Sequence, residues 1–138
     1  MTPPTANDLA AIEGFVEAFN AGDVDALLHR ADPGIVMATA REWPGGGVYR
    51  GADEVRRFIQ EFRGDWAEIR FERLTSETVG DRLVERSRWL GRGRTTGIET
   101  QVDFYAAWTV RDGRVRRVDV FARRDEAREF ARSDASGG

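Results

Sequence analysis

The chain reads as an α+β protein in which helices pack on one face of a curved antiparallel sheet. Three observations predict this class. Apolar residues recur at helical spacing through about residue 62, the period falls to two from Trp66 onward, and Gly/Asp turns punctuate the second half. With 138 residues the chain is one domain, 1–138, with an ordered core expected over about 7–132 and no internal repeats.

Residues 1–6 (MTPPTA) form a loose arm. Thr5 or Asn7 can cap a helix whose core face is Ile12, Phe15, Val16 and Phe19. Gly22 ends it, and Asp23 caps a short second helix over 24–30 that buries Val24, Leu27 and Leu28. After Asp32-Pro33-Gly34 the run IVMATA is a short strand, followed by the irregular loop REWPGGG. VYRGADEVRRFIQEF then supplies a strand end and a helix, with Val55, Phe58, Ile59 and Phe62 on one side.

Four strand-like segments follow: WAEIRFERLTSETV, RLVERSRWLG, IETQVDFYAAWTV and RVRRVDVFA. Gly80-Asp81 and Asp112-Gly113 close tight hairpins, and GRGRTTG joins the middle pair. A last helix over roughly 123–132 leads into the tail SDASGG.

Composition narrows the function classes. The net charge is −3, which argues against nucleic acid as the main partner. All 21 basic residues are Arg, and Arg stays charged when half buried and grips carboxylates bidentately. No cysteine and a single histidine, His29, leave no thiolate or His-based metal site and no Ser-His-Asp triad, so neither metal nor cofactor is expected. The N-terminus lacks the pattern of a signal peptide and no apolar run spans a bilayer, so the expectation is a cytoplasmic protein without a membrane partner.

Counting outward from Asp112-Gly113 pairs Val110 with Val115, Trp108 with Arg117, Ala106 with Asp119 and Phe104 with Phe121. This register turns Asp119 inward onto the more apolar face, opposite the small Ala106. The same count at Gly80-Asp81 pairs Arg73 with Arg88 and Phe71 with Leu90, placing Arg73, Arg86 and Arg88 on the inner face as well. Both counts assume an unbroken ladder. Trp89 then falls on the opposite face with Leu74 and Leu83, an apolar patch that a subunit interface would cover.

The segments FVEAFNAGDVDALL, VYRGADEVRRFI and WTVRDGRVRRVDVFARRDEA resemble the nuclear transport factor 2-like superfamily, and more closely its SnoaL-like proteins, over about 7–132. The resemblance implies a cone, a cystatin-like roll in which the curved sheet wraps the N-terminal helices around an apolar pocket. It also implies a homodimer through the sheet, and the ligand expected with it is a small organic molecule, flat or alicyclic, bearing a carboxylate or an enolisable carbonyl. Members of the fold include ketosteroid isomerase, limonene epoxide hydrolase, scytalone dehydratase and polyketide cyclases, so the fold alone names no reaction.

The same resemblance brings forward particular residues. Asp119 in DVFA is similar to the last-strand aspartate of limonene epoxide hydrolases, but Arg86-Ser87-Arg88 replaces the Arg-x-Asp pair those enzymes also need. Ketosteroid isomerases carry an acid near Ala106, and scytalone dehydratase depends on histidines; both requirements fail here. The catalytic expectation is proton transfer, with Asp119 or Glu42 of the Pro/Gly-rich loop as base and Arg88 stabilising an oxyanion. Phe15, Phe19, Trp43, Arg73, Arg86, Phe104, Ala106, Trp108, Arg117 and Phe121 are expected around the pocket. Against chemistry stands a bland reading, a binding or assembly module in which arginines lock Asp119 in an ion pair.

Overall fold

The computed structural model describes residues 2–40 and 46–133. Helix α1 (Ala6–Ala21) begins at a capping box: the Thr5 hydroxyl accepts from the Asp8 N–H, and the Asp8 carboxylate accepts from the Thr5 N–H. It ends at Gly22, whose φ of 73° is the left-handed C-cap. Asp23 then caps α2 (Val24–His29) through the Ala26 N–H. The strands β1 (Ala31–Ala38) and β2 (Val48–Arg50) lead into α3 (Gly51–Gly64). The meander β3 (Trp66–Val79), β4 (Arg82–Gly93), β5 (Glu99–Arg111) and β6 (Arg114–Phe121) follows, and α4 (Arg124–Arg132) closes the fold.

The six strands form one sheet in the order β2-β1-β6-β5-β4-β3. All neighbours are antiparallel except β1 and β6, which run parallel. Both expected hairpins form. Asp112 and Gly113 both take positive φ (55° and 72°), and Gly80 takes 65° at the other turn. Helices α1, α2 and α3 pack on the concave side, where Ile12, Leu27, Ile35, Val55, Ile59 and Val115 are fully buried. Each such side chain contributes roughly 1.5–3 kcal/mol of burial.

Helix α4 departs from the one-sided expectation and covers the convex face. Its strong amphipathicity requires an apolar partner of its own. Ala127 and Ala131 seat on Val84 and Ala107, and Phe130 meets Phe121 at 5.6 Å. Arg128 is bidentate to Glu77 on β3, a contact that holds the Glu77 carboxyl below its usual range. No helix among the described residues is long and apolar enough to cross a membrane.

Two further contacts fix α1 in the cone. The Asn20 side chain pairs with both backbone groups of Phe71, its amide donating to the carbonyl at 3.0 Å and its oxygen accepting from the N–H at 2.8 Å. An amide here takes the place of a seventh strand along the exposed side of β3. At the other end, the Asp8 carboxylate accepts from the Gly113 N–H at 2.8 Å, tying the helix start to the hairpin turn.

The two hairpins depart from the unbroken ladder in three places, between Trp66 and Glu68, between Arg73 and Thr75, and at Arg116, and the last two reverse faces that simple counting assigned. In the β5–β6 hairpin Val110 pairs with Val115 but Thr109 pairs with Arg117, which leaves Arg116 as a bulge. Beyond it Asp119 is opposite Ala107, Ala106 is opposite Val120 and Tyr105 is opposite Phe121. In the β3–β4 hairpin Thr75 pairs with Arg86 but Arg73 pairs with Ser87, so Leu74 is the extra residue. Phe71 then faces Trp89 rather than Leu90.

These bulges correct three expectations. Asp119 points away from the cone and lies beneath α4. Arg86 and Arg88 stand on the convex face, so Arg73 and Arg88 are not opposed. Trp89 turns into the cone, where it meets Trp66 at 4.9 Å and Phe62 at 6.1 Å, and Leu83 is buried. The apolar patch that suggested a subunit interface therefore does not exist as expected; of its three members only Leu74 is exposed.

Candidate functional site

The concave face, rebuilt with the observed register, carries Ile69, Phe71 and Arg73 from β3 and Leu83, Glu85, Ser87 and Trp89 from β4. It continues with Val102, Phe104, Ala106 and Trp108 from β5 and Val118 and Val120 from β6. Toward the open end of the cone, between α3 and the sheet, is a cavity of about 460 Å³. Its walls are mainly aromatic: Tyr49 stacks on Phe58 at 4.4 Å, and Phe62, Trp66, Trp89, Phe71 and Phe104 continue the lining. Among the described residues, Glu61 and Asp65 are the carboxylates that border it, with Thr39 nearby.

A smaller chamber of about 60 Å³ lies further in, under α1. Phe15, Phe19, Ala106 and Trp108 enclose it together with Arg73 and Ser87, and Met37, Phe71, Phe104 and Val120 line both spaces. Phe15 packs edge-on against Trp108 at 5.5 Å, and Phe19 stacks on Phe71 at 4.3 Å. The i, i+4 spacing of Phe15 and Phe19 on α1 is what delivers both rings to the chamber.

Beside this chamber is a charged group that the unbroken ladder hides. Glu85 is 2% exposed and its carboxylate is satisfied on both oxygens. The Trp108 indole N–H donates to Oε1 at 2.9 Å, and Arg73 donates to Oε2 through Nε at 2.8 Å and through Nη2 at 2.5 Å. A buried ion costs several kcal/mol unless it is paired and hydrogen-bonded, and here it is both. Arg73 reaches Glu85 from the outermost strand of the sheet, with its side chain 29% exposed. Ser87, cross-strand from Arg73 and 5% exposed, makes no side-chain hydrogen bond among the described residues.

Asp119 occupies a different environment. Arg117, two residues away on the same face of β6, donates to it through Nε at 2.8 Å and Nη2 at 3.0 Å. That bidentate hydrogen bond raises the pKa of Arg117, whose guanidinium also lies 5.6 Å from the Phe130 ring. Asp119 borders a shallow cleft of about 280 Å³ with Ala38, Phe121 and Glu126, not the cone. Arg86 and Arg88 both grip Asp103 on the convex face, with hydrogen bonds from Arg88 and then Arg86 bringing the Asp103 carboxyl down to about 2.

Of the residues expected around the pocket, the structure therefore gathers Phe15, Phe19, Arg73, Phe104, Ala106 and Trp108. It places Arg86, Arg88, Arg117, Asp119 and Phe121 on the other side of the sheet. Glu42 and Trp43 lie outside the described residues. Glu85, Ser87 and Trp89 are inner residues that pairing by simple counting missed. Their signal was the alternation in VERSRWL, where Arg86 and Arg88 are two solvent-seeking groups of the same parity.

Comparison with known proteins agrees with this architecture. TerC crystallised with polyporic acid superposes with a TM-score of 0.76 at 20% identity, covering 93% of this chain and 100% of its own. An NTF2-like protein of unknown function from Burkholderia pseudomallei gives 0.75 at 22%, covering 88% and 95%. A putative SnoaL-like polyketide cyclase from Jannaschia sp. CCS1 gives 0.73 at 14%, covering 88% of each chain. At these identities the likeness is one of fold, the nuclear transport factor 2-like cone. No curated protein matches the sequence significantly. The SnoaL-like domain model matches residues 12–118, from the core face of α1 to the middle of β6, and the chain belongs to the SnoaL-like domain family.

Proposed function

We propose that the protein binds a small, flat, largely apolar organic molecule in the aromatic cavity of the cone. The observation that carries this reading is the cavity of about 460 Å³ walled by Tyr49, Phe58, Phe62, Trp66, Trp89 and Phe104. That size and lining fit the usual range for small-molecule sites, which are mostly apolar with a few polar groups to orient the ligand. Aromatic walls favour a planar ring system through offset and edge contacts. The family membership and TerC, which was crystallised with polyporic acid, support the same ligand class.

Binding, rather than proton transfer at Asp119, is the function this geometry supports best. Asp119 has both oxygens taken by Arg117 and faces away from the cavity, so it serves as a structural ion pair under α4. The test uses the two tryptophans in the cavity wall as reporters. Fluorene should quench Trp66 and Trp89 fluorescence and raise the melting temperature, with Kd on the order of micromolar once association costs are set against burial. Val102→Trp fills the cavity from β5 and should abolish binding without unfolding the protein. Equal binding by the filled variant, or no response to any planar compound, would refute the reading.

A further inference from the structure

The side of α3 that faces the aromatic cavity carries acids among its rings. Phe58, Glu61, Phe62 and Asp65 fall at i, i+3, i+4 and i+7, so one stripe of the helix and its C-cap delivers all four to the lining. The arginines near this helix are committed elsewhere. Arg56 pairs with Asp25 of α2, and Arg63 donates to the Phe19 carbonyl of α1. Among the described residues no arginine borders the cavity, in a chain that carries 21. Glu61 and Asp65 are both exposed, and neither makes an ion pair or a side-chain hydrogen bond among those residues. Asp65 also stands at the C-terminus of α3, the negative end of the helix dipole. Arg94 approaches that end, but it donates to the Gly64 and Trp66 carbonyls and borders a neighbouring depression rather than the cavity.

From these placements we infer that the cavity selects a planar aromatic molecule bearing one ammonium group, with its ring inside and its charge at the rim between Glu61 and Asp65. The inference rests on the cavity-binding reading above and adds the charge of the ligand. Two separate attractions act on such a cation. Aromatic ring faces carry a negative quadrupole, strongest in its pull on cations for tryptophan, and Trp66 and Trp89 meet at 4.9 Å within the wall. The two carboxylates add a Coulombic attraction. Because both acids are exposed, the ammonium keeps part of its water at the rim, and little of the attraction is lost to desolvation. A ligand carboxylate in the same place would meet two like charges and the negative end of a helix.

The experiment compares 9-(aminomethyl)fluorene, 9-ethylfluorene and fluorene-9-carboxylate by tryptophan quenching and calorimetry on the full chain, at pH about 7 where the amine is protonated. The three share a ring system and differ in the charge of one small substituent. The ammonium compound should bind about tenfold tighter than the ethyl compound, with the carboxylate weakest. Glu61→Gln and Asp65→Asn alter exposed side chains that hold no protein group, so the fold should be kept, as far-UV circular dichroism checks. Each should lower the ammonium-to-ethyl affinity ratio about threefold, and the two together should raise carboxylate affinity. Equal binding of the ammonium and ethyl compounds, or tightest binding by the carboxylate, would overturn the charge assignment while leaving the apolar cavity in place. An unchanged ratio in the double variant would overturn the position of the cation at this rim. Failure of all three to bind would remove the cavity-binding reading itself.

Discussion

Replacing Arg73 by Met tests the buried charge at the wall of the chamber most directly. The substitution keeps an unbranched stem but ends short of the guanidinium position, and so removes the partner of Glu85, a carboxylate that is 2% exposed. Only the Trp108 N–H would remain to satisfy it. Removing one member of a fully buried pair costs roughly 3–5 kcal/mol, and the lower end applies because the 29% exposure of Arg73 lets water reach the site. A loss of about 3 kcal/mol corresponds to about 10 °C in melting temperature for a domain of this size. The double variant Arg73→Met/Glu85→Leu should recover about 1–2 kcal/mol of that loss, because it leaves only one orphaned indole N–H, worth about 1–2 kcal/mol. Urea unfolding followed by far-UV circular dichroism measures all three proteins, with a constant m-value as the check for two-state behaviour. A single-variant loss below about 1 kcal/mol, or a double variant no better than the single, would show that Glu85 does not depend on Arg73 as the geometry requires.

Other sites give independent tests. Asp119→Asn should destabilise the protein by about 2 kcal/mol through loss of the charge pair with Arg117, yet leave fluorene affinity unchanged; a binding defect would return Asp119 to the functional site. In Gly91→Ala the new methyl would lie 2.6 Å from the Trp66 ring, so the indole must shift, at a cost of about 1–3 kcal/mol and with an altered near-UV spectrum; an unperturbed spectrum would contradict the packing. Asp8 is shifted down despite burial, which acts the other way, because N–H groups of Thr5 and Gly113 and the Thr5 hydroxyl bond its charged form. With Glu77 and Asp103 also lowered, the unfolded state binds more protons below pH about 4, so stability should fall from there toward pH about 2, where Asp103 titrates. Asp103→Asn should flatten part of that slope, and an unchanged acid limb would argue against the Arg86–Asp103–Arg88 cluster.

The legible part of this fold is the part that local chemistry controls. Thr5, Gly22 and Asp23 mark helix ends because their side chains or backbone satisfy orphaned groups within a few residues. Asp112-Gly113 marks a turn because only such residues take two consecutive positive φ values at low cost. Phe15, Phe19, Phe104 and Trp108 could be assigned to the interior from periodicity alone, since each sits in a run whose apolar side is unambiguous.

Which charged residues accompany them was decided by tertiary structure. A strand alternates faces with every residue, so one extra residue at Arg116 and another at Leu74 reverse everything beyond them. Nothing in RVRRVDV or FERLTS announces a bulge, because its stability comes from packing on both sides of the finished sheet. Val118 and Val120 belong against α1 and the cone, and Ala107 and Phe121 belong under α4, a helix whose position no local pattern encodes. Local pattern was enough for the helices, the hairpins and the apolar side of the strands. Packing on both sides of the finished sheet put the Arg117–Asp119 pair on the convex side and left Glu85–Arg73 as the charge pair on the concave one.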